Sequence, residues 1–109
     1  FLTILIQVTI FMAINDKQKL YLKGLSHPLK PVVMIGNKGL TDTVLAEIEN
    51  ALAHHELIKV RVSGQEKTEQ AEMIQNIAVK TSSNLVMVIG HIGAFYRAAK
   101  EPKIILPKK

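Results

Sequence analysis

The residues best able to do chemistry lie in the loop Gly36-Asn37-Lys38-Gly39, between the apolar run Val32 to Ile35 and a helix starting at Thr41 or Asp42. Glycine has no Cβ, so backbone N–H groups in such a loop can approach an anion closely, and a helix N-terminus behind it adds favourable dipole and free amides. Lys38 supplies a cation at the same place. The G-x-x-G spacing alone proves little, because Gly90-His91-Ile92-Gly93 repeats it without a lysine, between two apolar runs, where it reads as a hairpin turn. The first copy differs in carrying Lys38, in opening onto a helix and in following a lysine-bearing segment.

Other chemistries find little support. There is no G-x-S-x-G nucleophile elbow, and Ser26, Ser63, Ser82 and Ser83 fall at helix ends and turns, where serine serves local hydrogen bonding. GNKGLT lacks the Gly-Lys-Ser/Thr order of a phosphate-binding loop that holds nucleotides. His54 and His55 are adjacent, so on a helix they point about 100° apart and cannot share a metal. Asp16 and Asp42 stand at helix starts, where capping and the helix dipole account for them. The expectation is a non-enzyme with no catalytic residues, no metal site and no cofactor.

The 109 residues suffice for one domain with one core. With no cysteine, disulfides and thiolate metal sites are excluded, as suits a cytoplasmic protein. Aromatic residues make up 5%, so the core must be aliphatic, and the composition argues against a wide aromatic platform for bases. The formal charge is +5, and it is segregated: Met12–Gly39 holds five lysines against one aspartate, while Leu40–Glu56 holds four acids and no Lys or Arg. A basic end beside an acidic middle favours a polyanion-binding face over a uniformly basic surface.

The elements that must position the loop follow from periodicity. Asn15 or Asp16 can cap a first helix to about Ser26, with Lys19 and Lys23 on one face; His27-Pro28 ends it. Lys30 and Pro31 lead into the strand Val32–Ile35, expected to be buried. A second helix, Asp42–His55, carries the stripe Val44, Ile48, Ala51, Leu52 and His55, widened by Leu45. Leu57–Val62 alternates, with Lys59 and Arg61 opposite Ile58, Val60 and Val62, as in a half-exposed strand. A third helix covers about Lys67–Thr81. Asn84–Gly90 is continuously apolar and reads as a central strand buried on both faces. Ala94–Ala98, AFYRA, returns as a last strand, its hairpin partner. The predicted order is α-β-α-β-α-β-β: an α/β fold, more narrowly an α+β sandwich with helices packed on a four-stranded mixed sheet. The domain is expected over 12–98. Phe1–Phe11 is apolar, uncharged and too short to span a membrane, which needs roughly 20 apolar residues; it is expected to be an upstream extension, with an added edge strand or self-association segment as the competing reading. Residues 99–109 form a basic tail.

In KH domains a glycine loop of this kind clamps a nucleotide backbone, which puts nucleic-acid binding slightly ahead of a protein-interaction adaptor. Three spaced motifs sharpen this: YLKGLSHPLKPVVMIGNKGLT (Tyr21–Thr41), ELIKVRV (Glu56–Val62) and VIGHIGAFYR (Val88–Arg97). Together they resemble the CRM domain (chloroplast RNA splicing and ribosome maturation), and the chain from Met12 is similar to its bacterial stand-alone members. The resemblance implies a fold like the C-terminal domain of translation initiation factor three. It implies RNA as partner, most specifically large-subunit rRNA or pre-50S particles during assembly, and no membrane. It carries the RNA contact to Gly36, Asn37, Lys38 and Gly39, with Lys19, Lys23, Lys30, Lys59, Arg61 and Arg97 as basic neighbours.

Overall fold

A computed structural model of the chain describes residues 14–36, 38–63, 66–99 and 104–107. Phe1–Phe11 and Asn37 lie outside the described residues.

Helix α1 (Asp16–Ser26) starts at Asn15. The Asn15 side chain accepts from the Gln18 N–H at 2.8 Å, and Gln18 Oε1 accepts from the Asn15 N–H at 3.1 Å. This reciprocal box satisfies two orphan amides of the first turn. β1 (Pro31–Ile35) leads to α2 (Asp42–His55), capped by Thr41, whose Oγ1 accepts from the Val44 N–H at 3.2 Å. Then come β2 (Leu57–Val62), α3 (Lys67–Lys80), β3 (Asn84–Ile89) and β4 (Ile92–Tyr96).

The strands form one mixed sheet in the order β1-β2-β4-β3. β1 and β2 are parallel, and β4 is antiparallel to both β2 and β3. The α-β-α-β-α-β-β order and the mixed four-stranded sheet match the expectation from sequence. α2 and α3 cover one face: Ile48, Leu52, Ile74 and Ile77 pack on Val33, Ile35, Ile58, Val60, Val62 and Phe95, all buried. α1 covers part of the other, where Leu22 packs on Leu57, Val86, Ala94 and Tyr96, with Ile104 and Leu106 of the tail at the rim.

Two strand readings need correction. β3 is an edge strand, not a central one, and Ile89 is 57% exposed. A continuous apolar run does not say which strand lies inside; here β4 pairs with both β2 and β3, which pushes β3 outward. β1 is also an edge, with only Val33 and Ile35 buried, while Val32 and Met34 stand in solvent. The hairpin turn is also tighter than expected: it is confined to Gly90 and His91, and Ile92 and Gly93 already belong to β4.

Glu56, directly after α2, is fully buried with φ +64°. Its carboxylate accepts from the N–H groups of Ala99 and Ile104, at 3.1 and 3.0 Å, and its carbonyl accepts from the Arg97 N–H at 2.8 Å. A buried carboxylate is retained only with such partners; this one ties the C-terminal segment to the body.

Candidate nucleic-acid interface

The strand directions bring three connections to one end of the sheet. β1 delivers the glycine loop there, β2 delivers Ser63, and β3 turns into β4 through Gly90 and His91. Backbone bonds join them: the Ser63 N–H donates to Ile35 O at 2.9 Å, and the Val62 N–H donates to His91 O at 2.8 Å. The N-termini of α2 and α3 lie at this same end, because each helix follows directly from β1 or β2. Ligands of open α/β sheets bind outside the carboxyl ends of the strands, and here those ends carry the loop.

The loop is a closed turn, in which the Gly39 N–H donates to Gly36 O at 3.0 Å. Gly39 has φ +73°, a left-handed conformation that glycine adopts without strain. Gly36 is exposed, and a Cβ built there would meet no atom within 4 Å, so the surface of the turn is open at that point. Lys38 is exposed and has no hydrogen-bond or ion-pair partner among the described residues. The turn then runs into the Thr41 cap of α2.

The structure brings Arg61 to this end. Arg61 pairs in register with Met34, just short of Gly36, and its Nε donates to His91 Nε2 at 3.0 Å. Lys59 lies two residues further down the same open face, with its Nζ 3.4 Å from His27 O. Lys19 and Lys23 are exposed on α1, where with Asp16 and Leu20 they line a shallow groove.

Two expected neighbours lie elsewhere. Lys30 precedes β1 at the opposite end of the sheet and lines an apolar cavity of ≈ 530 Å³ with Leu25, Leu29, Val32, Leu57 and Ile104. Arg97 also follows β4 at that far end and is engaged internally: its Nη1 donates to Glu49 Oε2 at 2.7 Å and to Thr81 O at 2.9 Å. With its side chain only 19% exposed, Arg97 joins α2 to the end of α3. Sequence cannot separate it from Arg61, since both follow alternating strand residues; only the pairing assigns one to an open face and the other to an internal clamp.

His91 lies in the hairpin turn and also orients Arg61. A signal was available in the strand alternation, which places Arg61 on the solvent side, but its partner comes from β4 pairing beside β2. Among the described residues no group of His, Asp and Glu could hold a metal ion. At the end of the sheet away from the loop, burial, aided by Glu56, raises the pKa of the Tyr96 hydroxyl.

The CRS1 / YhbY (CRM) domain model matches residues 14–97, and the chain belongs to that family. A Haemophilus influenzae protein named RNA-binding protein is 53% identical over 96 residues, spanning 88% of this chain and 97% of its own. A Pseudomonas aeruginosa protein named as a probable RNA-binding protein is 40% identical over 92 residues, spanning 84% and 86%. The solution structure of a hypothetical Staphylococcus aureus protein superposes with a TM-score of 0.76 at 34% identity, covering 87% of this chain and all of that one.

Proposed function

We propose that this chain binds RNA without catalysing a reaction, and that its RNA is that of large-ribosomal-subunit precursors during assembly. The observation that carries the binding reading is the loop: a Lys38 with no partner among the described residues, in a tight glycine turn exposed at Gly36 and seated on the capped N-terminus of α2. One phosphate would sit at the open surface of the turn, with Lys38 and the helix dipole offsetting its charge. Arg61 and Lys59 extend the cationic surface across the sheet, and α1 adds Lys19 and Lys23. The names of the relatives support RNA as the polyanion, and the family resemblance supports the ribosomal target.

The test is sedimentation of the full chain with ribosomal particles at two salt concentrations, beside a Lys38→Glu variant. Binding to immature large-subunit particles should fall steeply with salt, and Lys38→Glu should weaken it and reduce the salt slope by about 0.7 or more, the share of one phosphate contact on a single strand. Free protein at the top of the gradient at both salts would refute the ribosomal target; an unchanged affinity and slope in Lys38→Glu would refute the loop. A second reading, a protein-binding adaptor, draws on the apolar cavity at the far end; it requires a co-purifying protein and no bound nucleic acid.

A further inference from the structure

Among the described residues, α1 leaves the end of its sheet face nearest the glycine loop exposed. Its last residue, Ser26, hydrogen-bonds to Met87 Sδ, midway along the sheet, and Gln18 reaches Pro107 O in the tail. Beyond Ser26, toward the glycine loop, the register lays out one row across four strands: Met34, Arg61, Ile92 and Ile89. Met34 is 65% and Ile89 57% exposed. These side chains are a poor match for phosphates, and a contiguous exposed apolar surface marks a binding site. None of the four strands carries an Asp or Glu, while Lys59 and Arg61 both project on this face. Arg61 is held by its Nε bond to His91, and its two terminal amino groups have no partner among the described residues.

The apolar surface of RNA is the faces of its bases, and these are accessible only where the strand is unstacked; in an A-form duplex they are closed. We propose that this exposed end of the face is a second contact for the same RNA and takes unpaired bases of a single-stranded stretch. Met34 and Ile92 support the base faces, and the Arg61 guanidinium stacks on or hydrogen-bonds to them in the orientation His91 imposes. Neighbouring strands are about 5 Å apart and residues rise ~3.3 Å along them, so this contact adjoins the phosphate at Gly36–Gly39. It rests on the RNA-binding reading and adds to it a preference for single strands. The absence of acids and the continuity with Lys38 favour RNA over a protein as the occupant.

Fluorescence anisotropy with one labelled RNA, free and annealed to its complement, tests this in the full chain. Arg61→Lys keeps the charge but loses the fork, and Met34→Gln removes the apolar support; both positions are solvent-exposed, and thermal unfolding checks that each variant folds. Each should weaken single-strand binding about fivefold or more, in the range of lost base contacts, and leave duplex binding within about twofold. His91→Ala should act as Arg61→Lys does, and the double variant should lose little more than either alone, because His91 works through Arg61. Equal losses on both RNAs would overturn the proposal, showing a charge contribution only. No loss on single strands, with Lys38→Glu still impaired, would overturn it while leaving the loop reading intact. If Met34→Gln abolishes self-association or a protein complex and spares RNA, the face belongs to a protein and the proposal fails. If the unaltered chain binds neither RNA, it fails together with the RNA-binding reading.

Discussion

Replacing Gly93 with alanine should destabilise the fold without touching the loop. Gly93 lies buried in β4, between Val60 of β2 and Val88 of β3. A Cβ there would stand 3.0 Å from Ile74 Cγ2 and 3.1 Å from two ring carbons of Phe95. Both neighbours belong to the α3–sheet core and are 1% and 0% exposed, so neither has free space to move into. Overpacking by one methyl group costs about 1–3 kcal/mol. The smaller chain entropy of unfolded alanine offsets about 0.4–1 kcal/mol of that. A net loss of about 1–2 kcal/mol corresponds to a Tm lower by roughly 5–15 °C in a domain of this size. Thermal unfolding followed by circular dichroism measures it, with Gly36→Ala as the control. No atom lies within 4 Å of a Cβ at Gly36, so that variant should melt no lower than the unaltered chain and up to several degrees above it, by the same loss of unfolded-chain entropy with no clash to oppose it. The same Gly36→Ala should bind RNA more weakly, because its methyl group occupies the surface proposed for the phosphate. A Gly93→Ala chain that melts with the unaltered one would refute the packing argument.

Three further outcomes follow from the far end of the molecule. Glu56→Gln replaces one carboxylate oxygen with a donor facing a backbone N–H, so it should cost about 1–3 kcal/mol in urea unfolding and speed proteolysis near residues 99–104, where the carboxylate is anchored. Arg97→Ala leaves Thr81 O and the half-exposed Glu49 without their donor; it should lower stability by about 1–3 kcal/mol yet leave RNA affinity below the melting range within about twofold, the opposite of Lys38→Glu. Burial raises the Tyr96 hydroxyl above its ordinary 10.0, so the folded chain keeps this proton to higher pH than the unfolded chain does. Its contribution is therefore complete below about pH 10 and is lost as pH rises through the folded value; the stability gap between the unaltered chain and Tyr96→Phe should shift against the former above pH 10, and a pH-independent gap would refute the shift.

Much of the fold was legible because the determinants are local. The Asn15–Gln18 box, the Thr41 cap and the Val44–Leu52 stripe each lie within a few residues, and they mark α1 and α2 without reference to the rest of the chain. The alternation of Leu57–Val62 likewise placed Lys59 and Arg61 on one side of a strand. The strand order was not local. An apolar run such as Asn84–Ile89 has the same composition at an edge as at the centre, and only the hairpin partner taken by β2 decided between them.

The glycine loop shows the same division. Sequence alone determined that Gly36–Gly39 joins a strand to a capped helix and carries a lysine, because chain neighbours are enough to say so. Tertiary structure decided which cations join it. Arg61 and Arg97 look alike in the chain, but cross-strand pairing sets the first beside the loop, held by His91, and commits the second to Glu49 and Thr81. It also turned Gly90–Gly93, a weak echo of the loop, into two separate features: a turn whose His91 orients Arg61, and a Gly93 whose missing side chain lets α3 pack against the sheet. Such assignments depend on distances between residues 16 or more positions apart, and no local pattern encodes those distances.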